Sequence, residues 1–219
     1  MSDAENAETE QTSPEAAAPA RKRPKPGERR IQILQALASM LEQPGAERIT
    51  TAALAARLEV SEAALYRHFA SKAQMFEGLI EFIEQTVFTL VGQIAEREVA
   101  ATDLAAARRQ AGKVVTMLLQ FGEKNPGMVR VMVGDALVYE NDRLQQRMNQ
   151  FFDKIESTLK QCLRDGAQAE GSLTPTVDAQ VQAAVLTAFV MGRLQRFARS
   201  GFRRLPAEQL EASLVQMLH

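Results

Sequence analysis

One cysteine and two histidines are the only thiol and imidazole groups in a chain of 219 residues. Cys162, His68 and His219 are too few to assemble a Cys/His zinc site. To act as a general base His68 needs a serine, cysteine or carboxylate beside it, and the sequence supplies no spacing that places one there. There is no phosphate-cradling glycine loop before a lysine, no dinucleotide fingerprint and no nucleophile elbow. The residues therefore describe no enzyme, no metal site and no cofactor. Cys162, flanked by Leu159 and Leu163 in a helical pattern, reads as a buried hydrophobe. A single cysteine also excludes an internal disulfide and points to a reducing compartment. The chemistry left over is the recognition of phosphate by cations.

Charge is distributed for that purpose even though the formal net charge is −1. Residues 1–20 hold five acids (Asp3, Glu5, Glu8, Glu10, Glu15) and no base. Residues 21–30 hold six bases (Arg21, Lys22, Arg23, Lys25, Arg29, Arg30) against Glu28. Residues 21–72 contain ten Lys/Arg and five Asp/Glu, a local charge of +5. A nearly neutral protein with one basic end can bind DNA through that end. Six bases next to the first helix suggest phosphate or minor-groove contact.

The elements that must position these groups are helical. Aromatics are 5% and Trp is absent, while Ala, Leu and Glu recur, a mixture that favours helices over strands. Residues 1–27, with Pro14, Pro19, Pro24 and Pro26, read as a disordered acidic tail running into a basic arm. Nine helices are expected: about 28–43, stopped by Pro44-Gly45; 51–58; 62–69 with Ser61 as N-cap; 72–97 capped by Ser71; 102–123; 127–138; 141–165; 176–200; and 206–218. No strand and no repeat is expected. The longest apolar runs are far short of a membrane span and no apolar leader follows Met1, which leaves a soluble cytoplasmic helical protein. The domains fall at 28–72 and 73–219.

The segment ITTAALAARLEVSEAALYRHFASKAQMF has the layout of a helix-turn-helix. Ala52, Ala55 and Ala56 allow close approach of the first short helix, above Leu54, Leu58 and Val60. Ser61 frees the start of the second, where amide dipoles favour phosphate. Its outward Glu62, Ala63, Tyr66 and Arg67 are small or polar enough for a major groove. The Val-Ser pair, Leu65-Tyr66-Arg67-His68-Phe69 and Ser71-Lys72 resemble, at matching spacing, the DNA-binding domain of TetR-family regulators. That resemblance implies a TetR-like all-α fold, an N-terminal helix-turn-helix domain followed by a helical dimerisation domain. It also implies DNA contacts from Arg29, Thr50, Thr51, Ser61, Glu62, Ala63, Ala64, Tyr66, Arg67, His68 and Lys72. Among these Tyr66, His68 and Lys72 would lie along the backbone. Glu59 stands where the family usually has a glycine, in a left-handed turn position that costs a side chain about 1 kcal/mol.

Residues 72–165, with EGLIEFIE, FGEKNPGMVRVMVGDAL and YENDRLQQRMNQFFDKIE, resemble the nucleoid occlusion branch of that family. Such proteins are DNA-bound dimers that block cell division over the chromosome by engaging the C-terminal tail of FtsZ, the division GTPase. On a helical wheel Phe76, Leu79, Ile80, Ile83, Val87, Leu90, Val91 and Ile94 form the core stripe of the fourth helix, with Met75 and Phe82 on a common flank. Val114, Val115, Leu118 and Phe121 form the stripe of the fifth, with Met117 off it beside Lys113, Gln120 and Lys124. Apolar residues off the stripe, with bases near them, suit an amphipathic peptide. The resemblance implies partner contacts at Phe82, Leu90, Met117, Gln120, Lys124 and Asn125, Leu90 standing where the branch has an arginine. Val181, Val185, Ala188, Phe189 and Gly192 give a flat face for a homodimer, with Arg193, Arg196, Arg199, Arg203 and Arg204 as a solvated rim or a second interaction patch. A two-fold dimer implies pseudo-palindromic double-stranded DNA with recognition helices about 34–36 Å apart. Two readings stay open: an adaptor between DNA and FtsZ at the nucleoid, and a ligand-responsive repressor with an induction pocket in the second domain.

Overall fold

The computed structural model describes residues 27–43, 49–98 and 103–218. The acidic tail, all of the basic arm before Gly27, the Pro44-Gly45 stop and His219 lie outside the described residues. Among those described there are nine α-helices and no strand: α1 (Glu28–Leu41), α2 (Thr51–Arg57), α3 (Glu62–Tyr66), α4 (Lys72–Glu98), α5 (Leu104–Lys124), α6 (Pro126–Met132), α7 (Asp142–Ala169), α8 (Pro175–Arg199) and α9 (Leu210–Leu218). None of the described helices is long and apolar enough to cross a membrane.

Local chemistry starts most of these helices where the sequence expects. The Asp103 carboxylate accepts from the Ala106 amide at 2.7 Å and the Asn141 side chain from Arg143 at 2.9 Å. Prolines occupy the first turns of α6 and α8, where a missing N–H costs nothing. Helix α7 buries Leu144, Met148, Phe151, Phe152, Ile155, Leu159 and Leu163, one stripe over its length. It packs along α8 and α5, while α5 also packs on α4. One apolar cluster runs from Ile33 in α1 through α4, α5 and α7 to Leu218 in α9. Rings seal its middle, with Phe151 edge-on to Phe88 at 5.6 Å and to Phe152 at 5.1 Å.

Several boundaries differ from expectation for reasons that lie across the fold. The helix expected over 127–138 breaks after Met132. Gly134 turns left-handed (φ 84°), and the Gln145 side chain of α7 occupies the place a Cβ would need. A short 3-10 turn, Asp135–Leu137, follows. Helix α7 runs past Gly166 to Ala169, because the missing Cβ lets it press against Ala107 and Leu104 of α5. Helix α9 starts at Leu210, four residues later than expected, after a turn in which Gln209 has φ 53°. Helix α3 is a five-residue element that ends before Phe69, and α1 ends at Leu41. Cys162 is only half-buried, its thiol directed at the Ala107 carbonyl oxygen at 3.4 Å.

Candidate nucleic-acid and partner interfaces

Hydroxyls tie the two short helices together. Thr50 caps α2, accepting from the Ala53 amide at 3.1 Å, and Ser61 caps α3, accepting from Ala64 at 3.2 Å. Thr51 donates to the Glu62 carboxylate at 2.5 Å, and the Tyr66 phenol donates to Thr51 at 3.4 Å. The start of α2 is thereby stitched to the first and last turns of α3. Glu59 sits in the connecting turn at φ 53°, the left-handed conformation anticipated for a position where the family prefers glycine. Leu54, Ala55 and Leu65 are buried, with Leu58 and Val60 at the fringe of the core. Ala52 and Ala56 face solvent instead of the helix contact, since the side of α2 that is buried carries Leu54 and Ala55.

The outward face of α3 carries Glu62, Ala63 and Tyr66, followed by Arg67 and His68 in the turn beyond it, all exposed. Ala64 is half-buried. Arg30 of α1 donates to the His68 carbonyl oxygen at 3.1 Å and lays its guanidinium 4.1 Å from the Phe69 ring centroid. It holds the end of α3 against α1, a role the sequence reading missed, because nothing in a one-dimensional pattern pairs positions 30 and 68. Arg29 donates to Gln32 at 3.1 Å on the same exposed side. Lys72, expected along the DNA backbone, is ion-paired to Glu140 in the turn before α7. Glu140 was also missed, being 68 positions away in sequence. A phosphate at Lys72 must share the ammonium with this carboxylate.

On the second surface, Phe82 stands 46% exposed although the adjacent Ile83 is at 0%. Met75, expected on the same flank, is fully buried, because the N-terminal end of α4 is enclosed by neighbouring helices where its middle is not. Phe76, Leu79, Ile80, Ile83, Val87 and Val91 form the buried stripe, with Leu90 and Ile94 only partly covered. In α5, Val114, Val115, Leu118 and Phe121 are buried, Met117 packs at the fringe of the core, and Gln120 and Lys124 are exposed. Asn125 joins α5 to α6, its amide side chain donating to the Phe121 carbonyl oxygen at 2.8 Å. The six expected partner residues thus lie on two packed helices and the α5–α6 junction, three of them (Leu90, Met117, Asn125) partly covered.

Helix α4 is held against α7 by a two-pronged ion pair: the Arg147 guanidinium donates to Glu84 at 3.2 Å and 2.6 Å. That bonding raises the Arg147 pKa above its ordinary value despite the opposing effect of partial burial. On α8, Val181, Val185, Ala188 and Gly192 are exposed and Phe189 is half-covered. Arg193 is not part of a solvated rim: it donates to Ser213 at 3.2 Å and stacks 4.8 Å from the Phe189 centroid.

Two family models match separate stretches of the chain. Residues 33–79 match the family described as bacterial regulatory proteins, tetR family, and residues 108–218 match the SlmA-like family described as tetracyclin repressor-like, C-terminal domain. The nucleoid occlusion factor SlmA of Idiomarina loihiensis is 50% identical over 184 residues, 84% of this chain and 90% of that protein. The SlmA of Vibrio cholerae is 48% identical over 184 residues, with the same coverage. Among solved structures, the transcriptional regulator FadR of Bacillus subtilis aligns with a TM-score of 0.66 at 14% identity, covering 86% of this chain and 97% of that one. A transcriptional regulator from Rhodococcus aligns with a TM-score of 0.66 at 21% identity, covering 86% and 93%. At such identities these two structures attest the fold alone.

Proposed function

The chain belongs to the TetR family of DNA-binding regulators, in the branch of the nucleoid occlusion factors, and from that membership we propose that it is a DNA-bound homodimer which inhibits division by capturing the C-terminal tail of FtsZ on α4 and α5. One observation carries the partner surface: Phe82 is a large ring left half in solvent on a helix whose neighbouring residue is fully buried. We take that ring as the apolar anchor of a partner contact, the role an exposed aromatic fills at the centre of an interface. Met117 supplies further apolar surface on α5, and Lys124 with Asn125 supplies polar contacts at its end.

DNA is taken by the helix-turn-helix, with Ala63 and Arg67 at the groove and Tyr66, His68 and Lys72 along the backbone. The basic run at residues 21–30 adds phosphate contact. Dimerisation covers the apolar face of α8. The interior between α4, α5 and α7 is filled by Ile80, Ile83, Val115, Leu118, Met148, Phe151 and Ile155 at full burial, as an adaptor permits, while a hollow of about 580 Å³ lies instead where α5 and α7 meet α8 and α9, lined by Leu104, Leu163, Val181 and Met217. Co-sedimentation of purified FtsZ with the full chain, with and without a duplex carrying its specific site, tests the proposal. FtsZ captured more strongly with the duplex supports it; no capture in either condition refutes it.

A further inference from the structure

The arginines at the end of α8 are not absorbed by either interface. Residues 193–204 contain five arginines and no acid. Arg193 is spent on Ser213 and Phe189. Arg196, Arg199 and Arg204 are exposed, with no side-chain partner among the described residues. A helix C-terminus accounts for one or two cations, not for this number.

The turn that presents them is braced. Gly201 and Phe202 are both left-handed, at φ 62°. The Ser200 hydroxyl accepts from the amides of Arg203 at 3.0 Å and Arg204 at 2.9 Å while donating to the Phe197 carbonyl oxygen at 2.8 Å. The Phe202 ring packs edge-on to Phe197 at 5.1 Å, and the Arg130 guanidinium stacks 5.2 Å from its centroid. Beside this turn lies a hollow of about 760 Å³, where Arg196, Arg203 and Arg204 meet the apolar Leu205 and Ala207 and two rim acids, Glu123 and Glu208. Guanidinium forks presented by a braced turn over a small apolar floor suit carboxylates on a short-side-chain peptide.

The chain itself contains such a peptide. Residues 3–15 carry Asp3, Glu5, Glu8, Glu10 and Glu15, interspersed with alanines and without a base. We propose that this acidic segment docks in the arginine hollow at the end of α8. Reach is sufficient. The twelve residues from Glu15 to Gly27 span up to about 40 Å. Helix α1 is about 20 Å long, and its C-terminal half packs through Ala38 on Gly127 of α6, the helix whose Arg130 covers Phe202. The helix-turn-helix face is the poorer dock, because Arg30 and Lys72 are already engaged there by the His68 carbonyl oxygen and Glu140.

Amide NMR of the full chain tests the contact. The amides of residues 3–15 should shift in Arg196→Glu/Arg204→Glu, and adding Glu5→Lys/Glu8→Lys/Glu10→Lys to that chain should restore them. Both arginines are exposed and unpaired, so the thermal midpoint should hold. Reciprocally, Glu5→Gln/Glu8→Gln/Glu10→Gln, which leaves the helical core untouched, should move the Gly201 and Arg204 amides, as should salt of about 0.5 M, where charge screening falls to a few ångströms. Tail amides indifferent to the arginine variant, Gly201 and Arg204 amides indifferent to the tail variant, or tail amides that respond instead to Arg67→Glu overturn the proposal. The outcome does not depend on FtsZ binding.

Discussion

In the helix-turn-helix the exposed groups are polar side chains interspersed with alanines, and hydroxyls hold its geometry: Thr50 and Ser61 on backbone amides, Thr51 between Glu62 and Tyr66. On the outer side of α4 and α5 the exposed groups include Phe82 beside a sealed core, and long-range packing holds the helices in place. The first surface is built from neighbours in sequence and presents cations; the second is built from helices distant in sequence and presents an apolar ring. A surface of the first kind reads a polyanion through charge, and its affinity follows salt. A surface of the second kind depends on buried contact, with charge contributing at the rim. Truncations on the two surfaces should therefore separate the two activities, unless they reach the core that both share.

That shared core gives the largest expected effect. Phe69 is fully buried between α1 and α4, with Arg30 over its ring and Gly78 against its edge. Phe69→Ala should destabilise the chain by about 3–5 kcal/mol in denaturant unfolding and damage both activities together. A loss confined to one activity would show that the regions are less coupled than the common cluster implies. Next comes the cap: Ser61→Ala should cost about 1 kcal/mol and weaken DNA binding while leaving FtsZ capture unchanged. The smallest effect is at Lys72. Lys72→Ala should weaken all DNA sequences alike and reduce the slope of log affinity against log salt by ~0.9. Glu140→Gln, which frees the ammonium, should tighten binding to any duplex. Specificity altered at one base pair by Lys72→Ala would contradict a backbone role.

The same contrast explains what could be read from the sequence. The helix-turn-helix obeys local rules, caps at Thr50 and Ser61, a turn at Glu59 and a spacing that leaves Tyr66, Arg67 and His68 outward, so its elements were legible. The stripe of α4 was legible too, because periodicity identifies the most buried side. Periodicity did not separate Met75 from Phe82: both flank the stripe, and only the neighbours that enclose one end of α4 decide that Met75 is core. Ala52 and Ala56 looked like contact residues because they are small, yet smallness permits contact without causing it. The break at Gly134 depends on Gln145, the continuation of α7 through Gly166 on Ala107, and the state of Lys72 on Glu140. Each is a contact between positions that no local pattern links.

The partner groove proposed on α4 and α5 is independent of DNA binding, and Phe82→Ala tests it when DNA affinity and FtsZ capture are measured on the same folded variant. An apolar anchor at the centre of such a surface contributes about 2 kcal/mol or more, roughly a thirtyfold loss on truncation. Phe82→Ala should lose FtsZ capture with DNA affinity and thermal midpoint unchanged, and Lys124→Glu should give a smaller, salt-dependent loss. Loss of both activities with a lowered midpoint would make Phe82 a core residue, and retention of both would leave the surface without a partner; either result contradicts the groove.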